Sequence, residues 1–193
     1  MTAQPVEPDH APVWLRRPPP HGWTVEDVLN LPDDAPRVEL VDGVMRVVPS
    51  PTYGHQNLGN LLWTWLRGHA PPHMAPVTAV GVGIDLGNTR EPDVLLLREV
   101  PPDIRRHFFK PDEVVLVVEI VSEGSRRLDR FEKPIEYARA GIPHYWRVEL
   151  EPAVRVHAYD LVDGEYVQVA EAADALVLTE PFEIWLPIAE ITP

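Results

Sequence analysis

Cysteine is missing altogether from the 193 residues. That excludes a disulfide framework, a thiolate zinc site and a cysteine nucleophile, and it accords with a reducing cytosol. No apolar run approaches the roughly 18–20 residues that a spanning helix needs. The opening stretch MTAQPVEPDHAPVW is acidic and proline-rich, without the basic and apolar regions of a signal peptide. A soluble cytoplasmic protein with no membrane partner is expected. Net positive charge is also lacking. The formal net charge of −13 counts against a broad nucleic-acid-binding face, so contact with nucleic acid requires a local basic patch or bound cations. Lysine is scarce, with 2 lysines against 15 arginines. No Walker loop, dinucleotide fingerprint or GxSxG elbow occurs. His69 and His73 flank Pro71-Pro72 and so do not form a helical zinc pair.

What is present supports a core: 45% of the residues are apolar. Residues 1–22 carry six prolines and read as an N-terminal arm. Residues 23–193 are expected to form one domain. Thr24 followed by an acidic turn marks a short helix ending near Leu31-Pro32. RVELVDGVMRVV reads as a hairpin around Asp42-Gly43. From His55 to His69, Leu58, Leu61, Leu62, Trp65 and Leu66 form one helical stripe. Strands are expected at 78–86, 92–97, 114–121 and 145–150. A hairpin is expected over 153–160 and 165–170. A helix is expected over about 130–140, capped by Asp129, with Phe131, Ile135 and Ala138 on one face and Gly141-Ile142-Pro143 as its stop. The element order is that of an α/β or α+β fold with a mixed central sheet and helices on its faces.

One strand raises a chemical question. VVLVVEIV, 114–121, has seven apolar residues and Glu119. An ionised carboxylate in a buried strand costs several kcal/mol unless it is paired, binds a cation or keeps its proton. Asp93 starts the preceding apolar strand. If the two strands are neighbours, Asp93 and Glu119 converge at one end of the sheet. Two carboxylates suit a hard cation such as Mg²⁺ or Mn²⁺, which would serve phosphoryl chemistry. On the structural alternative, Asp93 caps a turn and Glu119 pairs with a core arginine. Lys133 follows Glu119 on the next helix, where it can reach back to the carboxylates, and its compact charge suits water or phosphate; the alternative is that its rarity is chance. Tyr137, one turn later, can support it. Glu39 is a third acidic candidate or a solvated strand residue. His55 and Gln56 at the helix start can reach a phosphate or serve as an ordinary cap and an exposed side chain. Arg126, Arg127 and Arg130 form a candidate phosphate patch or a solvated helix start.

RVELVDGVMRVVPSPTYGHQ, EPDVLLL, VVEIVSEGSRRLDRFEKPIEYARAGIPHYWRVEL and FEIWLPIAEI together resemble the Uma-two family of "putative restriction endonucleases". The resemblance covers nearly everything after about residue 23. It implies the restriction-endonuclease-like fold, a mixed central sheet flanked by helices, here with extra β-hairpins. It also implies a PD-(D/E)XK metal site for Mg²⁺ or Mn²⁺, a nucleic-acid substrate, DNA foremost, and a homodimer. Carried over, Asp93 and Glu119 are the metal ligands, and Glu39 resembles the additional acidic residue. The lysine expected two positions after Glu119 is Val121, so Lys133 is the candidate for a migrated lysine. Glu91 stands where the family often has a basic residue.

Three readings follow. One is a metal-dependent endonuclease hydrolysing phosphodiesters through Asp93, Glu119, Lys133 and Glu39, with Gln56, Tyr137 and the arginine patch toward substrate. The second is a catalytically weak or inactive nucleic-acid- or protein-binding regulatory protein on the same scaffold. The third is an oligomeric scaffold with a purely structural acidic network.

Overall fold

The computed structural model describes residues 11–32 and 34–193. Part of the N-terminal arm, residues 1–10, therefore lies outside the described residues. The chain divides into two compact units, one of 1–50 with 83–90, the other of 51–82 with 91–193.

In the first unit, Thr24 caps α1 (Val25–Leu29) through a capping box with Asp27. β1 (Val38–Val41) and β2 (Val44–Val47) pair antiparallel, Val38 opposite Val47. Asp42 and Gly43 both have positive φ, 49° and 72°, as a two-residue primed turn demands. A side chain on Gly43 would also come within 2.8 Å of Gly22 Cα. β5 (Asn88–Arg90) lies beside β1, where Thr89 Oγ1 accepts the Leu40 N–H at 2.9 Å.

The second unit is built on α2 (Tyr53–His69), β3 (Ala75–Val77), β6 (Val94–Leu97), β8 (Val114–Val121), α3 (Lys133–Arg139), β9 (His144–Glu149), β10 (Arg155–Val162) and β11 (Glu165–Ala172). Its six-stranded sheet has the order β11-β10-β9-β8-β6-β3. Only the β8–β9 pair is parallel, and α3 lies in the crossover between those strands. The fold is thus a mixed α/β sheet flanked by helices.

β4 (Gly81–Asp85) begins in this unit and pairs in parallel with β7 (Phe108–Phe109). The strand expected over 78–86 is shorter, beginning only at Gly81, because Ala79 has a φ of 56°, outside the extended region that a strand needs. β12 (Ala175–Leu178) and β13 (Ile184–Pro187) form a C-terminal hairpin.

All eight positions of β8 are buried, because both faces of the sheet are covered. Leu116, Val118 and Ile120 point into one cluster with Leu58, Leu62, Trp65 and Leu66 of α2, Trp146 and Val148 of β9, and Leu176 and Ile184 of the hairpin. The stripe read from the α2 sequence is the stripe it buries, except that Leu61 is only partly covered. Truncating Leu62 to alanine there would cost about 2–5 kcal/mol. The odd residues of β8, Glu119 among them, face the opposite side of the sheet.

Among the described residues no helix is long and apolar enough to cross a membrane.

Candidate active site

β6 and β8 are antiparallel neighbours with Val94 opposite Val118, so Asp93 enters at the level of Glu119. Asp93 Oδ2 accepts the Ile120 N–H at 2.7 Å. From the start of α2, capped by Thr52, His55 reaches the same place. Its Nε2 is 2.9 Å from Ile120 O and 3.3 Å from Asp93 Oδ2. A carbonyl only accepts, so this nitrogen carries the proton. Burial pulls the His55 pKa down; the hydrogen bond and charge of Asp93, with the Ile120 carbonyl, outweigh it and the net direction is up.

The helix after β8 begins with a π-helical turn, Leu128–Glu132, in which the Lys133 N–H bonds back to Leu128 O. Pro134 follows and has no N–H to give Asp129 O five residues back, so the wide turn ends there and α3 proceeds. Asp129, Lys133 and Tyr137 are spaced by four and all are buried. Phe131 and Ile135, by contrast, are 66% and 53% exposed. This corrects the expected apolar face of Phe131, Ile135 and Ala138: only Ala138 is buried. The helix is polar inward and apolar outward. That inversion violates the usual pattern in the way functional sites do, and π turns collect at such sites.

The inward groups meet Glu119, which is 2% exposed. Lys133 Nζ donates to Glu119 Oε2 at 2.9 Å and lies 3.0 Å from Asp129 Oδ1 as an ion pair. Tyr137 donates to Glu119 Oε1 at 2.6 Å. The Tyr145 hydroxyl donates to Asp129 O at 2.6 Å. Burial drives the Glu119 pKa well up; Lys133 opposes, Asp129 and Asp93 reinforce, and the Tyr137 bond opposes. Burial also raises Asp129, against Lys133 and Ser125. Two carboxylates thus hold one ammonium, the Asp93 charge acts on both of them, and the like-charge repulsion favours a shared proton or an added cation.

The candidate residues are placed as follows. Asp93, Glu119, Lys133 and Tyr137 come together in the second unit. Glu119 bonds Lys133 and Tyr137, not a core arginine as the structural alternative had it. Asp93 holds a strand N–H and His55. Glu39 lies in the first unit, on β1. It is not solvated: its side chain is 12% exposed and lies 3.4 Å from Nη1 of the buried Arg90. Gln56 is exposed and donates to Asn60 within α2, so His55 is the α2 residue at the carboxylates. Of the arginine patch, Arg127 pairs with Glu132 at 2.9 Å and Arg130 grips Glu149 with two bonds, 3.0 and 2.8 Å. Sequence reasoning took Asp129 only as a helix cap. The signal that could have found it was its spacing of four from Lys133.

A hard cation accepts oxygen donors, and Mg²⁺ commonly takes only one or two carboxylates from protein. The Asp93 and Glu119 carboxylates fit that count. A larger ligand set is not present: among the described residues no group of three or more His, Cys, Asp or Glu side chains is arranged to hold a metal ion.

The second unit is thus a mixed α/β sheet flanked by helices, with a buried carboxylate–lysine pair beneath the helix after β8. The profile of the Uma2 family, described as "Putative restriction endonuclease", matches residues 25–189. The chain belongs to that family. Its fold is shared with a crystal structure from Anabaena variabilis described as "a putative nuclease belonging to DUF820", at 17% identity and TM-score 0.68, covering 87% of this chain and 96% of that one. No curated protein matches.

Proposed function

We propose that the protein is a metal-dependent nuclease that hydrolyses phosphodiester bonds of DNA. The observation that carries this reading is the Lys133 ammonium held 2.9 Å from buried Glu119, on the sheet face that Asp93 enters at the same level. Lys133 supplies from the following helix the charge that Val121 does not supply from the strand. Asp93 and Glu119 would hold Mg²⁺ or Mn²⁺. When bound, such an ion supplies an activated water and neutralises phosphoryl charge. The chain's own contribution is positioning. Tyr137 and Lys133 fix the Glu119 carboxylate between them. Asp129 holds the ammonium from its other side. Lys133 can then orient water or stabilise a non-bridging oxygen as negative charge develops. Glu39, paired with Arg90 in the first unit, is assigned an assisting role by family resemblance alone.

A second reading is a binding or regulatory protein on this scaffold. The net charge of −13 and a Glu119 whose two oxygens are both engaged favour it. The deciding experiment is cleavage of plasmid and single-stranded DNA with Mn²⁺ or Mg²⁺, beside folded Glu119→Ala and Lys133→Ala. Activity lost in both variants supports the nuclease. Absence of both activity and Mn²⁺ binding in the wild type sinks it. Light scattering tests the homodimer that restriction-enzyme analogy implies.

A further inference from the structure

Beside the carboxylates, on the same face of the sheet, lies a cleft of ≈ 460 Å³ lined by Arg130, Phe131, Arg147, Glu149, Arg155 and His157, among others. Its position follows from the register. Glu119 of β8 is level with Arg147 of β9, and Arg147 with His157 of β10. Paired residues project to the same face, and neighbouring strands lie about 4.8 Å apart. The cleft therefore adjoins Glu119 by a single strand spacing.

Its chemistry is unlike the rest of this acidic chain. Three of the 15 arginines line it. Carboxylates face them too: Glu149 is shared by Arg130 and Arg147, Glu171 lies against Arg155 and His157, and Glu151 is on the rim. Charge alone is therefore balanced, and the guanidinium donors are what remain. A guanidinium has five N–H donors. Arg155 uses one nitrogen, Nη1, on Glu171. Arg147 lies 3.1 Å from Glu149 through Nε, but not in hydrogen-bonding alignment.

Among the described residues, four buried side-chain atoms lack a hydrogen bond, and two of them, Arg147 Nε and His157 Nδ1, are cross-strand neighbours here. Each of these two has a carboxylate within ion-pair distance, Glu149 at 3.1 Å and Glu171 at 3.5 Å, but a buried polar atom left without a hydrogen bond calls for a ligand or an explanation. Burial and the charge of Arg147 push the His157 pKa down, so the imidazole adds no charge at neutral pH. Phe131 stands on the wall, 66% exposed, an aromatic face beside guanidinium donors. That pairing suits single-stranded nucleic acid, whose phosphates take the donors and whose bases stack.

We propose that this cleft is a nucleotide subsite, in which Arg147 and Arg155 take a backbone phosphate and Phe131 stacks on the base of a single-stranded segment next to the scissile bond. The assignment rests on the nuclease reading for what lies at Glu119. The phosphate and base contacts are tested separately from cleavage.

The test is fluorescence anisotropy with a labelled single-stranded DNA oligonucleotide, and its RNA counterpart, in EDTA across a salt series. Phe131 and Arg155 are exposed enough for alanine to leave the fold intact. Arg147→Lys keeps the charge but loses the fork. Phe131→Ala and Arg155→Ala should each weaken binding about fivefold or more, and Arg155→Ala should flatten the slope of log affinity against log salt by about 0.7. Arg67→Ala, on the exposed side of α2, should change neither. Wild-type affinity and slope retained in the Phe131, Arg147 and Arg155 variants would overturn the subsite and leave the nuclease reading standing. A wild type that binds neither oligonucleotide overturns the subsite and leaves the nuclease reading to the cleavage assay. Binding that depends on Arg155 and Phe131 in a protein that cuts nothing supports the subsite and removes the nuclease.

Discussion

Lys133 Nζ and Glu119 Oε2 are 2.9 Å apart across 14 positions of sequence, joining the turn after β8 back to the strand it leaves. Neither group is tolerable alone at its depth. An ammonium and a carboxylate removed from water need each other, and breaking such a pair by deleting one partner costs about 3–5 kcal/mol. Lys133→Met should therefore destabilise the protein by about that amount, since it leaves Glu119 and Asp129 facing each other. Combined with Glu119→Gln, the double variant should lose less than the sum of the two. Urea denaturation of the four proteins measures the coupling; strict additivity would mean that the pair contributes nothing.

Tyr137→Phe removes one donor from Glu119 and little volume. The cost should be about 1–3 kcal/mol, that of leaving a buried acceptor short of a bond. The Tyr137 bond lowers the Glu119 pKa, so its loss should raise that pKa further. Carboxyl-carbon NMR titration of Glu119 in the two proteins reads the direction; an unchanged or lowered value would contradict the assigned hydrogen bond.

Asp129→Asn has the opposite sign. The Asp129 charge raises Glu119, so the amide should let Glu119 ionise at lower pH in the same titration. It should also reduce turnover, on the proposed function, about tenfold or more with little change in KM, because only the placement of the ammonium is altered. A change confined to KM would place Asp129 at the substrate instead.

Acid should act on the protein through Glu113. Arg106 grips it with two bonds of 2.6 Å, and chiefly for that reason its pKa falls from 4.5 to about 2. A depressed carboxyl gives stability that is present above 4.5 and lost as pH falls through about 2. Arg106→Ala should flatten the Tm profile in that window. Glu119 works in the reverse sense. Its folded pKa lies above the ordinary 4.5, so the folded state holds the proton longer and its contribution declines as pH rises past that value. The stability difference between wild type and Glu119→Gln should therefore shrink toward alkaline pH. A difference that grew with pH would reverse the sign assigned to Glu119.

The parts of the molecule legible in the sequence were those in which local chemistry and tertiary packing agree. The hairpin over 38–47 has its turn residues in sequence, α2 has its stripe, and β8 has an apolar run broken only by Glu119. The order of elements pointed to a mixed central sheet with helices on its faces, and the family resemblance pointed to its restriction-endonuclease-like type. The short strands β3, β12 and β13 carry too few residues for a period to show. The helix after β8 misled for a physical reason: its apolar residues Phe131 and Ile135 point outward, and its buried face is Asp129, Lys133 and Tyr137. Hydrophobic patterning reads burial, and here burial goes to charge. Arg147 and His157 could not be placed at all without the strand order, since only the β8–β9–β10 register sets them beside Glu119.

β8 is shared by two environments, with Ile120 against α2 and Glu119 against α3, and successive residues serve them in turn. A single-residue insertion or deletion within the strand would exchange the two faces downstream of it, driving the carboxylate among the leucines of α2 and a valine or isoleucine toward Lys133. Substitution can tune this strand, but length change cannot. Drift in the family should therefore enter β8 by replacement, with gain and loss of residues confined to the connections that flank it.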